Sequence, residues 1–124
     1  MEIGSFFFDS YALHEVVVGS KSYIPFLKDV NIATTKMNLM ELHYSLLRTQ
    51  GKEAADECYD FFLPYAVEIT DDIIKMANVF RYTNKKSRMS YIDCVGYILA
   101  KTMGVKFLTG DKEFKDLDNV EYVA

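Results

Sequence analysis

Short apolar runs alternate with longer stretches of helical spacing along the 124-residue chain. The first run, Phe6-Phe7-Phe8, shows no polar alternation, which is typical of a strand buried on both faces. This order of elements predicts an α/β domain with a mainly parallel sheet of about five strands. The strands are predicted at residues 5–9, 31–34, 66–69, 105–109 and 120–123.

The helices are predicted from periodicity and from the residues that begin and end them. Thr35, Thr70 and Ser90 are suitable N-caps, and Gly51 and Gly104 suit the C-terminal ends. Ser90 also precedes an acid by three residues, which is the spacing of a capping box. The predicted helices cover residues 11–18, 36–50, 52–63, 71 to 83 or 85, and 91–103, with a short helical piece at 23–28.

The composition indicates one ordinary globular domain over residues 1–124, because half of the chain is hydrophobic. The net charge of −4 argues against non-specific coating of nucleic acids, but it is compatible with a nuclease that has a local basic rim. No apolar stretch approaches the roughly 20 residues that span a bilayer, and Phe6-Phe7-Phe8 is too short for a signal-peptide core. We therefore expect a soluble, cytoplasmic protein without a membrane partner.

Cysteine and histidine are scarce, with two of each. Their spacing does not match a zinc site. Cys94 lies in an apolar helix and is predicted to be a small core residue. His14 and His43 are interpreted as surface or packing residues.

Four carboxylates carry the candidate chemistry. Asp93 lies in the almost wholly apolar segment 91–103, and Glu41 lies among methionine, leucine and tyrosine residues. Asp9 follows the first predicted strand, and Asp111 follows the strand at 105–109. Sites in open parallel sheets form beyond the carboxyl ends of strands. If these two strands are central neighbours, Asp9 and Asp111 converge there.

Each acid also has an ordinary structural interpretation. Asp9 can cap the following helix, and Asp93 can complete the capping box. Asp111 after Gly110 suits a turn, and Glu41 suits a structural salt bridge or plain exposure to solvent. Clustered carboxylates repel one another, however, and need compensation. Mg²⁺ or Mn²⁺ prefers such oxygen ligands, so the joint pattern predicts a metal site.

These segments resemble a known family, the PIN-domain ribonucleases, which include the toxins of VapBC-type toxin–antitoxin pairs. The matching pieces keep the family's order over nearly the whole chain. They are Phe6-Phe7-Phe8-Asp9-Ser10, Asn38-Leu39-Met40-Glu41-Leu42, Ser90-Tyr91-Ile92-Asp93-Cys94 and Leu108-Thr109-Gly110-Asp111-Lys112-Glu113-Phe114.

The resemblance implies a three-layer α/β/α sandwich and a metal-dependent endoribonuclease that cuts single-stranded RNA. Products with 3′-hydroxyl and 5′-phosphate ends are implied, as are a homodimer and a small antitoxin partner. The implied site is an acidic quartet of Asp9, Glu41, Asp93 and Asp111, with Ser10 and Thr109 as supporting hydroxyls. Asp116 and Asp118 also lie near Asp111 in sequence, which leaves open whether one of them assists it.

Substrate contacts are expected from the densest basic run, at residues 81–88. Lys85, Lys86 and Arg88 are the candidates for phosphate binding, and a solvated loop is the alternative. Tyr11 and Tyr91 are candidates for base stacking, with packing as the alternative.

Other functions fit less well. A dehalogenase-type phosphatase needs a second Asp where Tyr11 stands, a receiver domain needs an acceptor Asp in the 68–70 region, and the glycines of a P-loop are missing. The remaining rival is a catalytically weak or inactive PIN-like module that binds RNA or a protein partner.

Overall fold

The computed structural model describes residues 4–124, which form a parallel sheet between two layers of helices. The strands are β1 (Gly4–Phe8), β2 (Val30–Ala33), β3 (Lys106–Thr109) and β4 (Val120–Tyr122). Their order is β2-β1-β3-β4, and every pair is parallel. The α/β/α sandwich expected from the sequence is therefore confirmed, and β1 and β3 are the central neighbours.

Within residues 4–124, five α-helices connect and cover the strands. Thr35, Thr70 and Ser90 cap three of them through their side chains, as the sequence predicts. Gly19 and Gly104 end two helices in the left-handed conformation. The helices are α1 (Ser10–Val18), α2 (Lys36–Thr49), α3 (Lys52–Phe62), α4 (Asp71–Thr83) and α5 (Tyr91–Met103). Short 3-10 helices cover Lys21–Phe26, Leu63–Tyr65 and Lys112–Phe114.

The strand predicted at residues 66–69 is wrong. Within the described part of the chain the sheet has four strands, and this segment makes a single parallel bridge between Thr34 and Ala66. The bridge is supported by a hydrogen bond from the Val67 N–H to the Thr34 carbonyl (2.8 Å). The reason is that the neighbouring edge strand is short. β2 ends at Ala33 and α2 begins at Lys36, so the segment 66–69 has no further strand residues to pair with.

Successive side chains of the central strands point to opposite faces and build two cores. Phe7 and Phe107 pack with α4 and α5, where Tyr97 and Ala100 are buried. The next residue on each strand faces the other side, where α1, α2 and α3 pack; that core includes Phe8, Leu108, Leu13, Leu39, Leu42, Leu46 and Ala55. Among residues 4–124 no helix has the length and apolar character needed to cross a membrane.

Candidate active site

Asp9 stands where the two central strands end. Its backbone N–H donates to the Leu108 carbonyl of β3 (3.2 Å), and its Oδ1 accepts a hydrogen bond from the Ala12 N–H (2.8 Å). Asp9 therefore caps α1, as its ordinary interpretation predicts. The residue is nevertheless only 2% exposed, so the cap also fixes a carboxylate in a buried position.

Asp93 occupies the first turn of α5 and completes the predicted capping box. Its backbone N–H donates to Ser90 Oγ (3.0 Å), and its Oδ2 accepts from the Ser90 N–H (3.0 Å). One carboxylate oxygen is engaged by this box, which holds the side chain at the N-terminal end of the helix.

Asp111 follows β3 and is held by the backbone around it. Its N–H donates to Thr109 Oγ1 (3.0 Å), and its Oδ1 accepts from the Glu113 N–H (2.9 Å). Gly110, between them, has no room for a side chain: an added Cβ would lie 2.1 Å from a ring carbon of Tyr11 and 2.6 Å from the Val123 carbonyl oxygen. The Tyr11 ring therefore packs on the loop that carries Asp111.

Glu41 reaches the site from α2 through Ser10. The Ser10 hydroxyl donates to Glu41 Oε1 (2.5 Å) and accepts from Asn38 Nδ2 (3.0 Å). Asn38 is buried, and its Oδ1 accepts from Thr35 Oγ1 (2.6 Å). This chain of hydrogen bonds ties the first turn of α1 to α2 and orients Glu41. The salt bridge considered for Glu41 does not form with any cation of residues 4–124.

Asn38 has a positioning role that the sequence pattern does not reveal. The residue belongs to the motif around Glu41, but nothing along the chain shows that its amide joins Thr35 to Ser10. One local signal exists: a polar side chain three residues after an N-cap, between apolar neighbours, needs a buried partner.

Burial dominates the electrostatics of Asp9. It raises the pKa of this carboxyl from its ordinary 3.8 to about 7, and repulsion from Asp93 and Asp111 acts in the same direction. Hydrogen bonds from the Thr109 side chain and the Ala12 backbone partly oppose the increase. Asp9 therefore resists ionisation unless a positive charge compensates it.

Asp93 shares this environment. Burial raises its pKa, hydrogen bonds from Ser90 oppose the rise, and repulsion from Asp111 and Glu41 adds to it. Asp9 thus lies within electrostatic range of Asp93 and Asp111, and Asp93 lies within range of Asp111 and Glu41, so the four predicted acids come from four separate segments to one region. We call this region the acidic pocket.

The acidic pocket suits a hard divalent cation by its donor chemistry. Its donors are carboxylate oxygens, and no lysine or arginine among residues 4–124 forms an ion pair with any of the four. Among residues 4–124, no group of three or more acids, histidines or cysteines is arranged so that it could hold a metal ion. Mg²⁺ keeps several of its own waters and is commonly bound through one or two carboxylates, so fewer than three of these acids at a time would have to suffice as direct ligands.

The basic segment lies directly before α5. Lys85, Lys86 and Arg88 are exposed, and Lys85 Nζ lies 5.0 Å from the ring centre of Tyr82. The segment is tied to α4 by Arg81, whose Nε donates to the Met89 carbonyl (3.3 Å).

Tyr91 differs from Tyr11 in its accessibility. The guanidinium of Arg81 stacks on the Tyr91 ring at 4.2 Å, and the residue is 64% exposed. Tyr11 is more covered and packs against Gly110.

Asp118 is engaged elsewhere. Its Oδ1 accepts from the Tyr97 hydroxyl (2.6 Å), and its Oδ2 pairs with Lys101 (3.1 Å). These partners lower its pKa, whereas Asp93 and Asp111 are the acids that act on Asp9.

The remaining polar candidates have structural surroundings. His43 bonds to Asp56 (2.7 Å), and His14 contacts Glu15 (3.3 Å). Cys94 is buried, as predicted, and Cys58 and Cys94 are both free thiols.

Fold and site together define a class: a parallel α/β sandwich with carboxylates gathered at the carboxyl ends of its central strands. The chain belongs to the PIN-domain family, whose model matches residues 6–120. The resemblance identified from the sequence motifs is thereby confirmed. No curated protein matches the chain.

Solved structures with the same fold include a VapC toxin and VapBC complexes. VapC20 of Mycobacterium tuberculosis, a sarcin-ricin loop cleaving toxin, has a TM-score of 0.78 at 17% identity, with 96% of this chain and 99% of that chain covered. VapBC2 of Rickettsia felis, bound to a DNA fragment from its promoter, has a TM-score of 0.74 at 18% identity (97% and 99% covered). VapBC-5 of Mycobacterium tuberculosis has a TM-score of 0.69 at 19% identity (97% and 98% covered).

Proposed function

We propose that this chain is a toxin-type, metal-dependent endoribonuclease that hydrolyses phosphodiester bonds in single-stranded RNA. The observation that carries the proposal is the acidic pocket, where four carboxylates share one environment and no basic side chain of the described residues pairs with them. Membership of the PIN-domain family supports the same reaction class. In this proposal residues 1–124 act as one PIN-like nuclease domain.

The four acids divide the work. Asp9, Glu41 and Asp93 would hold one or two Mg²⁺ or Mn²⁺ ions, directly or through water, and Asp111 would hold a second ion or orient the attacking water. The cation, when bound, acidifies water and neutralises charge on the attacked phosphate. Ser10 positions Glu41 by its hydrogen bond.

Two further groups complete the proposed site. Thr109 Oγ1 accepts a hydrogen bond from the Asp111 N–H, and the Thr109 side chain acts to lower the pKa of the Asp9 carboxyl, so Thr109 would support both acids. Lys85, Lys86 and Arg88 would attract RNA phosphates at the rim, because they are exposed cations beside the helix that carries Asp93.

The proposed partners are a second copy of the chain and a small antitoxin protein. Antitoxin complexes occur among the solved structures that share the fold, and α2 offers an exposed apolar stripe of Met37, Met40 and Leu47 for a protein contact. We place the activity in the cytoplasm, where RNA is abundant and free thiols such as Cys58 and Cys94 persist.

RNA cleavage with and without a chelator tests the proposal. The wild type should cut unstructured RNA in Mg²⁺ or Mn²⁺ and stop in EDTA. Asp9→Asn and Asp93→Asn should each reduce the rate by more than about 100-fold, because loss of an outer partner of a metal ligand already costs about 10–100-fold. Circular dichroism should show that both variants remain folded.

Asp72→Asn is the matched control. Asp72 also lies in the first turn of a helix, but it is exposed and outside the acidic pocket. Its variant should cut RNA at the wild-type rate. If the metal-loaded wild type leaves varied RNAs intact, the chain is instead a PIN-like module that binds RNA or protein without cutting.

A further inference from the structure

A shallow groove on the outer side of α2 begins at the acidic pocket. Glu41, Tyr44 and Arg48 line it, together with Met40 and Ser45. Glu41 is therefore shared between the acidic pocket and the groove. A ligand that lies in the groove would contact Glu41 and so lie beside the acidic pocket.

The groove's polar residues follow the helical repeat. Residues three and four positions apart share a face of a helix, so Glu41, Tyr44 and Arg48 form one line along α2. From the first to the last of them the helix axis advances by about 10 Å. Leu39, Leu42 and Leu46 are buried on the other side of the helix. Glu41, Tyr44 and Arg48 therefore lie on the side of α2 that faces away from the core.

Tyr44 and Arg48 contact each other on the exposed side of α2. Tyr44 is 63% exposed, and the Arg48 guanidinium stacks on its ring at 5.3 Å. No carboxylate of residues 4–124 forms an ion pair with Arg48. An accessible aromatic face beside an unneutralised guanidinium is the combination that binds an unpaired base and a phosphate.

We propose that Tyr44 and Arg48 form a nucleotide subsite next to the reacting phosphate. The base of a flanking nucleotide stacks on Tyr44, and its phosphate bonds to Arg48. The proposal rests on the proposed function for the substrate class, RNA, but it concerns binding and not hydrolysis. Single-stranded RNA suits the subsite because only an unpaired base offers its face to a tyrosine ring.

Binding can be measured apart from cleavage in an Asp93→Asn background. The probe is a short, unstructured, fluorescein-labelled RNA followed by fluorescence anisotropy. Adding Tyr44→Ala should raise Kd by about 10-fold, within the range for loss of one stacked base. Tyr44→Phe should stay within about 2-fold, because the phenylalanine ring still stacks.

Salt dependence separates the two roles. Arg48→Ala should weaken binding and flatten the plot of log K against log salt by about 0.7, the value for one phosphate contact on a single strand. Tyr44→Ala should leave that slope unchanged, since the tyrosine carries no charge.

Two control variants match the test residues in exposure. Phe61 on α3 is 64% exposed, almost the same as Tyr44, and α3 carries none of the four acids. Lys75 on α4 is an exposed cation outside the groove. Phe61→Ala and Lys75→Ala should bind RNA within about 2-fold of the parent, as is usual for surface substitutions away from a site.

The outcomes of this test are distinct from those of the cleavage test. If the wild type cuts RNA but Tyr44→Ala binds no worse than Phe61→Ala, the subsite is wrong and the hydrolysis stands. If no RNA is cut but Tyr44→Ala still weakens binding by about 10-fold, the subsite stands and the hydrolysis is wrong. A change of oligomeric state in Tyr44→Ala at unaltered RNA affinity would show an interface between copies, which overturns the subsite.

Discussion

At the scale of single residues, Asp9 does two things at once. Its Oδ1 caps α1 through Ala12, and its burial makes the ionised form costly. A neutral residue could serve as the cap, but only an acid creates the demand for a cation. The capping and metal-binding interpretations of Asp9 are therefore compatible.

The raised pKa of Asp9 predicts how the metal-free protein responds to pH. The folded pKa, about 7, lies above the ordinary 3.8, so the native state binds the proton more tightly than the unfolded state. The free energy of unfolding should fall as pH rises from about 4 to 7 and level off above that range. The full shift corresponds to an upper limit of about 4 kcal/mol.

Thermal melts in EDTA between pH 5 and 8 provide the measurement. The melting temperature of the wild type should drop across this range, and that of Asp9→Asn should drop much less. The shift of Asp93 has the same direction and leaves a residual slope. Asp118→Asn is the contrasting control, because the lowered pKa of Asp118 affects stability only below about pH 4. Identical pH profiles for wild type and Asp9→Asn would refute this account of Asp9.

At the scale of elements, the distance between α5 and the sheet decides where Asp93 stands. Gly96 lies against the central strands: an added Cβ would be 2.7 Å from Phe7 Cε1 and 3.2 Å from Phe107 Cε1. The absence of a side chain allows the helix to approach both strands. That approach brings the first turn of α5 close to the end of β1, where Asp9 begins the next helix.

Gly96→Ala is therefore expected to lower the free energy of unfolding, whereas the same substitution at an exposed helical glycine raises it. Alanine in place of an exposed helical glycine stabilises by about 1 kcal/mol, whereas overpacking here should destabilise by about 1–3 kcal/mol. Because α5 must move outward, RNA cleavage should also decrease. Urea denaturation and cleavage rates measure the two effects.

Thr102→Ala is the control for Gly96→Ala. Thr102 is exposed on the same helix. Its replacement by alanine should stabilise the protein slightly, by at most a few tenths of a kcal/mol. A stabilised Gly96→Ala variant with wild-type cleavage would mean that the helix does not need this close approach.

The same scale explains what the sequence revealed about the fold. The four strands and five α-helices seen in the described part of the chain follow from local signals: unbroken apolar runs, N-caps such as Thr35 and Ser90, and glycines such as Gly104. The segment 66–69 has a strand-like pattern, but a strand also needs a neighbouring edge. β2 ends at Ala33, so beyond Thr34 there is no strand edge for the segment 66–69 to pair with. The length of β2 cannot be predicted from the sequence of residues 66–69.

The acidic pocket was predictable to a similar degree. Asp9 and Asp111 follow strands that the α/β pattern makes neighbours, so their approach could be predicted from the strand order. The link from Ser10 through Asn38 to Thr35 depends on how α1 packs against α2. Such side-chain partners are set by packing between elements far apart in sequence, which no local pattern specifies.

At the scale of the whole molecule, two exposed apolar surfaces have different relations to the acidic pocket. The α2 stripe lies beside Glu41 and faces a groove formed with α3, lined by Met37, Met40 and Tyr59. A protein bound there would also cover Met40, which lines the groove proposed for RNA, and this position suits an inhibitor. The second surface, on α4, consists of Met76, Val79 and Tyr82 and belongs to a helix without any of the four acids.

We therefore expect the α4 surface to form the homodimer and leave the acidic pocket open. Val79 is 66% exposed at its centre, so Val79→Glu should convert the dimer to a monomer, because an unpaired charge in an apolar interface is unfavourable. Analytical ultracentrifugation at micromolar concentration measures this.

Ile24→Glu, at a 55% exposed residue on another part of the surface, should remain dimeric. Val79→Glu should still cut RNA, since each copy carries its own four acids. A monomeric wild type, or a dimer that survives Val79→Glu, would exclude this assembly.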